Sequence, residues 1–109
     1  MAALKERSSK VYKKGDPSLP VEQANELLKQ LHDWTLNQES QTIERKFQFK
    51  NYYETIAFVN AVAWIANHQD HHPDLQVSYN RCVVHFTTHS VGGLSENDFI
   101  CAAKIDALF

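Results

Sequence analysis

The sequence predicts an α+β fold, a four-stranded antiparallel sheet with three helices packed on one face, in the order α-β-β-α-β-β-α. Three observations lead there. Two pairs of short apolar or alternating runs, Trp34 to Phe49 and Leu75 to Thr88, each surround a polar turn, the pattern of a hairpin. Segments with helical periodicity precede, separate and follow the two pairs. The run Thr42 to Phe49 is apolar on one side only, so one sheet face is wet and the helices gather on the other.

Residues 1–17 show no helical or strand period and are expected to form a flexible arm, leaving residues 18–109 as the folded domain. In the first helix, Pro20 suits the opening turn and Glu22 the positive end of the dipole. Val21, Ala24, Leu27, Leu28 and Leu31 share a face, which carries the helix to about His32. Trp34-Thr35-Leu36 and the run Thr42 to Phe49 make the first hairpin, with Ile43, Arg45, Phe47 and Phe49 on one side. Asn51, with Glu54 three residues on, caps the longest helix, Tyr52 to about His68. That helix is apolar around most of its circumference and the sheet has one face without helical cover, so a homodimer or homotetramer is expected. Pro73 stops the helix, and Leu75 to Tyr79 with Cys82 to Thr88 make the second hairpin. If Cys82, Val84 and Phe86 face the helices, His85 points to the opposite face. Ser95 and Asp98 open the final helix.

Composition narrows the function. The 109-residue chain carries a formal charge of −2, with a pI near 6.3, which argues against direct nucleic-acid binding. Lys5, Arg7, Lys10, Lys13 and Lys14 are offset by Glu6 and Asp16 and read as a solvated tail. Cys82 and Cys101 stand apart in apolar surroundings, as reduced core thiols do. No apolar run suits a signal peptide or a membrane span, so a cytoplasmic location, with a nuclear one also open, is expected.

Chemistry concentrates in Asn67-His68-Gln69-Asp70-His71-His72-Pro73-Asp74. Imidazoles beside carboxylates exchange protons near neutral pH. Pro73 stiffens the loop, the rings of His71 and His72 splay apart, and His89 arrives from the end of the second hairpin. Three readings stand at this point: an acid/base enzyme; a metal site using His68 with His71 or His72; and histidines that only cap helix ends and line a loop. Against the metal site, no cysteine lies nearby and the spacings fit no zinc motif.

His71-His72-Pro73, five residues, Tyr79, nine residues, His89, eight residues and Asp98 together resemble the signature of the pterin-4a-carbinolamine dehydratases. The likeness extends to Ile43 to Phe49, Thr87-Thr88-His89 and Gly93 to Asp98, and covers about residues 18 to 109. The resemblance implies the same α+β fold. It also implies dehydration of a 4a-hydroxytetrahydropterin to the quinonoid dihydropterin, which recycles the cofactor of aromatic amino acid hydroxylases. His71 and His89 would be the acid/base pair, His72 would bind and orient the pterin and could share the acid role, and Asp98 would hold His89 or its loop, unless it serves only as the cap side chain of the last helix. No metal or organic cofactor is implied. Mammalian members of that family also serve as dimerisation partners of a homeodomain transcription factor, the alternative function. One position departs from the pattern: Asn67 stands where the family usually has an acid, four residues before the first histidine. An amide one turn before His71 can orient the ring without supplying charge, so activity would be retained over a lower pH range. Asp70 and Asp74 are candidates for the missing charge.

Overall fold

The computed structural model describes residues 2–109. It contains α1 (Val21–Leu28), β1 (Thr35–Asn37), β2 (Thr42–Gln48), α2 (Tyr52–Gln69), β3 (Asp74–Val77), β4 (Arg81–Phe86) and α3 (Glu96–Asp106). The sheet is antiparallel throughout with strand order β1-β2-β4-β3. The expected α+β fold and its element order are what the structure has.

Register decides which side chains meet the helices. The pairs Ile43↔Phe86, Arg45↔Val84 and Phe47↔Cys82 place one face of β2 and β4 against the core, where Ile43, Val84 and Phe86 are fully buried. Fully buried Phe99, Ile100 and Ile105 come down from α3 to meet them, with Phe58 and Val62 from α2. On the opposite face Glu44, His85 and Asp74 stand in one row across three strands. His85 therefore points away from the core, as the alternation implies, with Nδ1 3.8 Å from Glu44 Oε1.

Several boundaries differ from the sequence reading for local reasons. Helix α1 stops at Leu28, and the chain continues to Leu31 through tighter bonds, Gln30 N to Leu27 O and Leu31 N to Leu28 O. Strand β4 stops at Phe86 because Thr87 turns its hydroxyl to Gln41 O (2.7 Å) and Thr88 forms an isolated bridge with Gly93. Asn51 caps α2 through Glu54 N (2.9 Å), but the Glu54 carboxylate reaches back to Lys50 N (3.0 Å) rather than to the cap residue.

Arg45 shares the core face of β2 with apolar neighbours, and its charge is met there. Its Nη1 donates to Asp106 Oδ1 at 2.7 Å, and its guanidinium lies 4.3 Å from the Phe47 ring centroid. Asp106, with a side chain only 6 % exposed, also accepts from Trp34 Nε1 (2.8 Å) and His32 N (2.9 Å). This carboxylate joins α3 to β2 and to the α1–β1 connection.

The segment expected to be a flexible arm is laid against α3. Leu4, in a short 3₁₀ turn, is 2 % exposed and belongs to the core cluster, and Arg7 pairs with Glu96 at 3.0 Å. Among the described residues, no helix is long and apolar enough to cross a membrane.

Both cysteines are buried and free. Burial raises the Cys82 thiol. For Cys101 burial is the leading cause; Ser9 opposes it, and Asp98 and Lys104 add weaker raising and lowering effects, so the thiol is pushed up to about 12 from 9.0. Below pH 9 the thiol is protonated in the folded and unfolded states alike, and its contribution to stability is constant. As pH climbs from 9 towards 12, the unfolded chain releases a proton that the folded protein keeps, so stability falls through that window. Urea titrations should give a lower midpoint at pH 10.5 than at pH 8. The pH dependence should be shallower in Cys101→Ala, whatever that variant's absolute stability.

Candidate active site

The site begins where α2 ends. Asp70 adopts a left-handed conformation (φ 49°, ψ 44°), with its N–H directed to Ala66 O and Asn67 O. The next amide, His71 N, donates to Ala66 O at 3.1 Å. These bonds form a Schellman reversal with aspartate where glycine is usual, and aspartate tolerates that conformation better than most residues. The chain turns sharply, and Pro73 keeps it from resuming a helix.

The reversal sends His71 inward. Its ring stacks on Phe86 (centroids 5.7 Å apart, planes 9° apart), and Nε2 lies 2.6 Å from Asp98 Oδ1. The His71 side chain is 11 % exposed and that of Asp98 is fully buried. A buried carboxylate must find donors, and Asp98 has them. Oδ2 accepts from Thr88 Oγ1 at 2.8 Å and from Ser95 N at 2.9 Å, the latter half of the capping box that starts α3. Thr88 Oγ1 and Ser95 Oγ lie 2.7 Å apart and tie the loop to the helix start.

This arrangement fixes a proton. The Asp98 carboxylate accepts only, so His71 Nε2 carries hydrogen and donates. When the ring is neutral, its acceptor nitrogen is Nδ1; when it is protonated, Nδ1–H is a donor. A histidine oriented by a buried carboxylate at one nitrogen can take or give a proton at the other.

His72 and His89 are exposed. His89 opens a 3₁₀ turn, His89–Val91, closed by Gly92 at φ 65°, whose N–H donates to His89 O at 3.0 Å. Thr88, immediately before His89, binds the same carboxylate as His71, so that carboxylate anchors both the α2 end and the His89 loop. Asp98 meets His71 rather than His89. Asn67 and Asp70 are exposed, and among the described residues neither side chain hydrogen-bonds His71. Asp74 faces the outer side of the sheet opposite His85. The His68 ring lies tilted against Trp64, with centroids 4.1 Å apart and Nδ1 3.0 Å from Trp64 O. An open cleft of about 400 Å³ lies beside His71, lined also by His68, Asp70, Thr88, Ser90 and Asn97 but not by His72 or His89, a size that suits a small ligand.

Sequence reasoning missed Phe86, Thr88, Ser95 and Asn97 as parts of the site. Thr88 and Ser95 were visible as a strand end, a helix cap and members of the stretches that carry the family resemblance, but no local pattern gave them a role beside His71. Among the described residues, no three His, Cys, Asp or Glu side chains come together as a metal site.

Residues 17–108 match the family model described as Pterin 4 alpha carbinolamine dehydratase. The chain belongs to this family. It is 60 % identical over 93 residues to a Nitrosospira multiformis protein named "Putative pterin-4-alpha-carbinolamine dehydratase", covering 85 % of this chain and 80 % of that one. A Nitrosomonas eutropha protein of the same name is 57 % identical over 106 residues, covering 96 % of this chain and 92 % of that one. Among solved structures, the transcriptional coactivator/pterin dehydratase from Brucella melitensis superposes with a TM-score of 0.80 at 34 % identity, over 84 % of this chain and 97 % of that one.

Proposed function

We propose that this member of the pterin-4a-carbinolamine dehydratase family removes water from a 4a-hydroxytetrahydropterin, giving the quinonoid dihydropterin. The observation that carries this reading is the His71–Asp98 pair, a buried carboxylate 2.6 Å from a histidine that borders an open cleft. The 4a hydroxyl leaves as water once a general acid protonates it, while a base takes the proton from the neighbouring ring nitrogen. His71 and His89 share these two tasks, and His72 binds and orients the pterin. Asp98 holds His71 in the Nε2–H tautomer and, through Thr88, fixes the loop that carries His89.

Carbinolamine generated in situ by an aromatic amino acid hydroxylase, and followed by absorbance, tests the reaction. The protein should speed the spontaneous dehydration by at least about a hundredfold. Because the proposed chemistry runs on imidazoles, the rate should survive exhaustive chelation. A rate equal to the uncatalysed one, or one lost on chelation and restored by zinc, would contradict the proposal.

One apolar surface bears on partners. Tyr53 is 82 % and Trp64 67 % exposed on α2, which supports assembly into a homodimer or homotetramer. The same surface favours a second reading, a dimerisation or coactivator role towards a transcription factor, in keeping with the coactivator description of the Brucella protein. Light scattering checks the first of these: a mass of two or four chains is expected at micromolar concentration, and a persistent monomer would count against it.

A further inference from the structure

The elements that carry the histidines leave one side of the cleft open, and the N-terminal segment lies there. Ser9, Lys10, Val11 and Tyr12 line the cleft together with His71, Thr88 and Asn97. The segment has no secondary structure of its own, so its position depends on what holds it.

It is held from both sides. Lys10 N donates to Asn97 Oδ1 at 2.8 Å while Asn97 Nδ2 donates to Lys10 O at 2.7 Å, so one side chain satisfies a backbone residue as a neighbouring strand would. Asn97 is 4 % exposed and directly precedes Asp98. Ser9 N donates to Gln69 Oε1 at 2.8 Å, and Gln69 ends α2, two residues before His71. Farther on, Gly15 N donates to Ser90 O at 3.3 Å. The segment is thus tied to each of the three elements that form the cleft. The Lys10 ammonium is drawn aside to Glu96 (3.6 Å), and Val11 is 90 % exposed. Tyr12, half-buried, is the aromatic group of this wall.

We infer that Ser9–Tyr12 is a substrate-facing wall of the cleft, with Tyr12 packing on the flat heterocycle and Asn97 and Gln69 acting as positioning residues that hold the wall in place. The inference rests on the reading of the cleft as a pterin site. It assigns the segment to binding and leaves proton transfer to the histidines. A planar pterin offers a π-face to an aromatic ring and an edge to His71, which lines the same cleft, so the two contacts do not compete.

Two substitutions within the segment test this without touching α2, α3 or the histidine loops. Tyr12→Ala removes the aromatic face, and Lys10→Pro removes the N–H given to Asn97. Each should raise KM for the carbinolamine by about tenfold with kcat within about twofold of wild type. Tyr12→Phe should recover most of the loss. Without any variant, 7,8-dihydrobiopterin added to the wild-type protein should slow tryptic cleavage after Lys10. His71→Ala is assayed alongside. Wild-type KM in Tyr12→Ala and Lys10→Pro, a fall confined to kcat, or tryptic cleavage unaffected by the dihydropterin would each overturn the wall. With His71→Ala inactive, the site reading would still stand. Full activity in His71→Ala would overturn the site reading, and the wall with it.

Discussion

Asp98→Asn should lower kcat by about two to four orders of magnitude while the protein stays folded. An amide is close in shape to the carboxylate, and its oxygen can still accept from Thr88 Oγ1 and Ser95 N, which lie 2.8 and 2.9 Å from Oδ2. The atom facing His71 Nε2 then becomes an NH₂, which donates. The imidazole must present a bare Nε2, its hydrogen moves to Nδ1, and the nitrogen proposed to exchange the substrate proton is blocked. Asp98→Ala goes further. It leaves Ser95 N, Thr88 Oγ1 and His71 Nε2 facing a fully buried cavity, a loss of about 3–5 kcal/mol of stability. Urea denaturation with parallel kinetics separates the two variants: Asn should lose rate with modest loss of stability, Ala should lose both. Near-wild-type kcat in a folded Asp98→Asn would show that the carboxylate does not set the tautomer.

Asp106→Ala should be the most damaging change to stability outside the site, at about 3–5 kcal/mol. Its carboxylate accepts from Arg45 Nη1, Trp34 Nε1 and His32 N at 2.7–2.9 Å. Without it a guanidinium remains in a core position, 18 % exposed, with a second nitrogen, Nε, buried and already lacking a partner. The indole N–H loses its acceptor in the same step. For a domain of this size such a loss corresponds to a fall in Tm on the order of 15 °C or more, readable by calorimetry. Arg45→Met in the Asp106→Ala background removes the stranded charge and should recover part of the loss. Additive effects of the two substitutions would argue that the pair is not coupled.

These two carboxylates show where sequence reading reaches and where it stops. Elements and their order were legible because periodicity and caps are local: Asn51 and Ser95 announce α2 and α3, and alternation from Ile43 to Phe49 assigns a core face to β2. Arg45 was legible on that face, but its partner lies 61 residues away, and no local pattern links them. The histidine cluster was legible by composition and spacing. Its geometry was not, because it turns on one residue, Asp70, taking a left-handed conformation that aspartate tolerates but does not require. A helix continued through residue 71 would bring Asn67 beside His71. The reversal instead takes the ring to Asp98, 27 positions on. The wall at Ser9–Tyr12 left no trace in periodicity, since backbone bonds to Asn97 and Gln69 hold it.

Among the proposed roles, the central one is that of His71 as a group that moves a proton during dehydration. Stopped-flow absorbance of enzyme-generated carbinolamine at neutral pH, comparing wild type with His71→Ala at equal folded concentration, tests this directly. The expected result is a kcat lower by about two to four orders of magnitude in His71→Ala, measured below the melting range of a variant whose Tm also falls because Asp98 Oδ1 loses its donor. A folded His71→Ala protein that dehydrates the carbinolamine at the wild-type rate would contradict it.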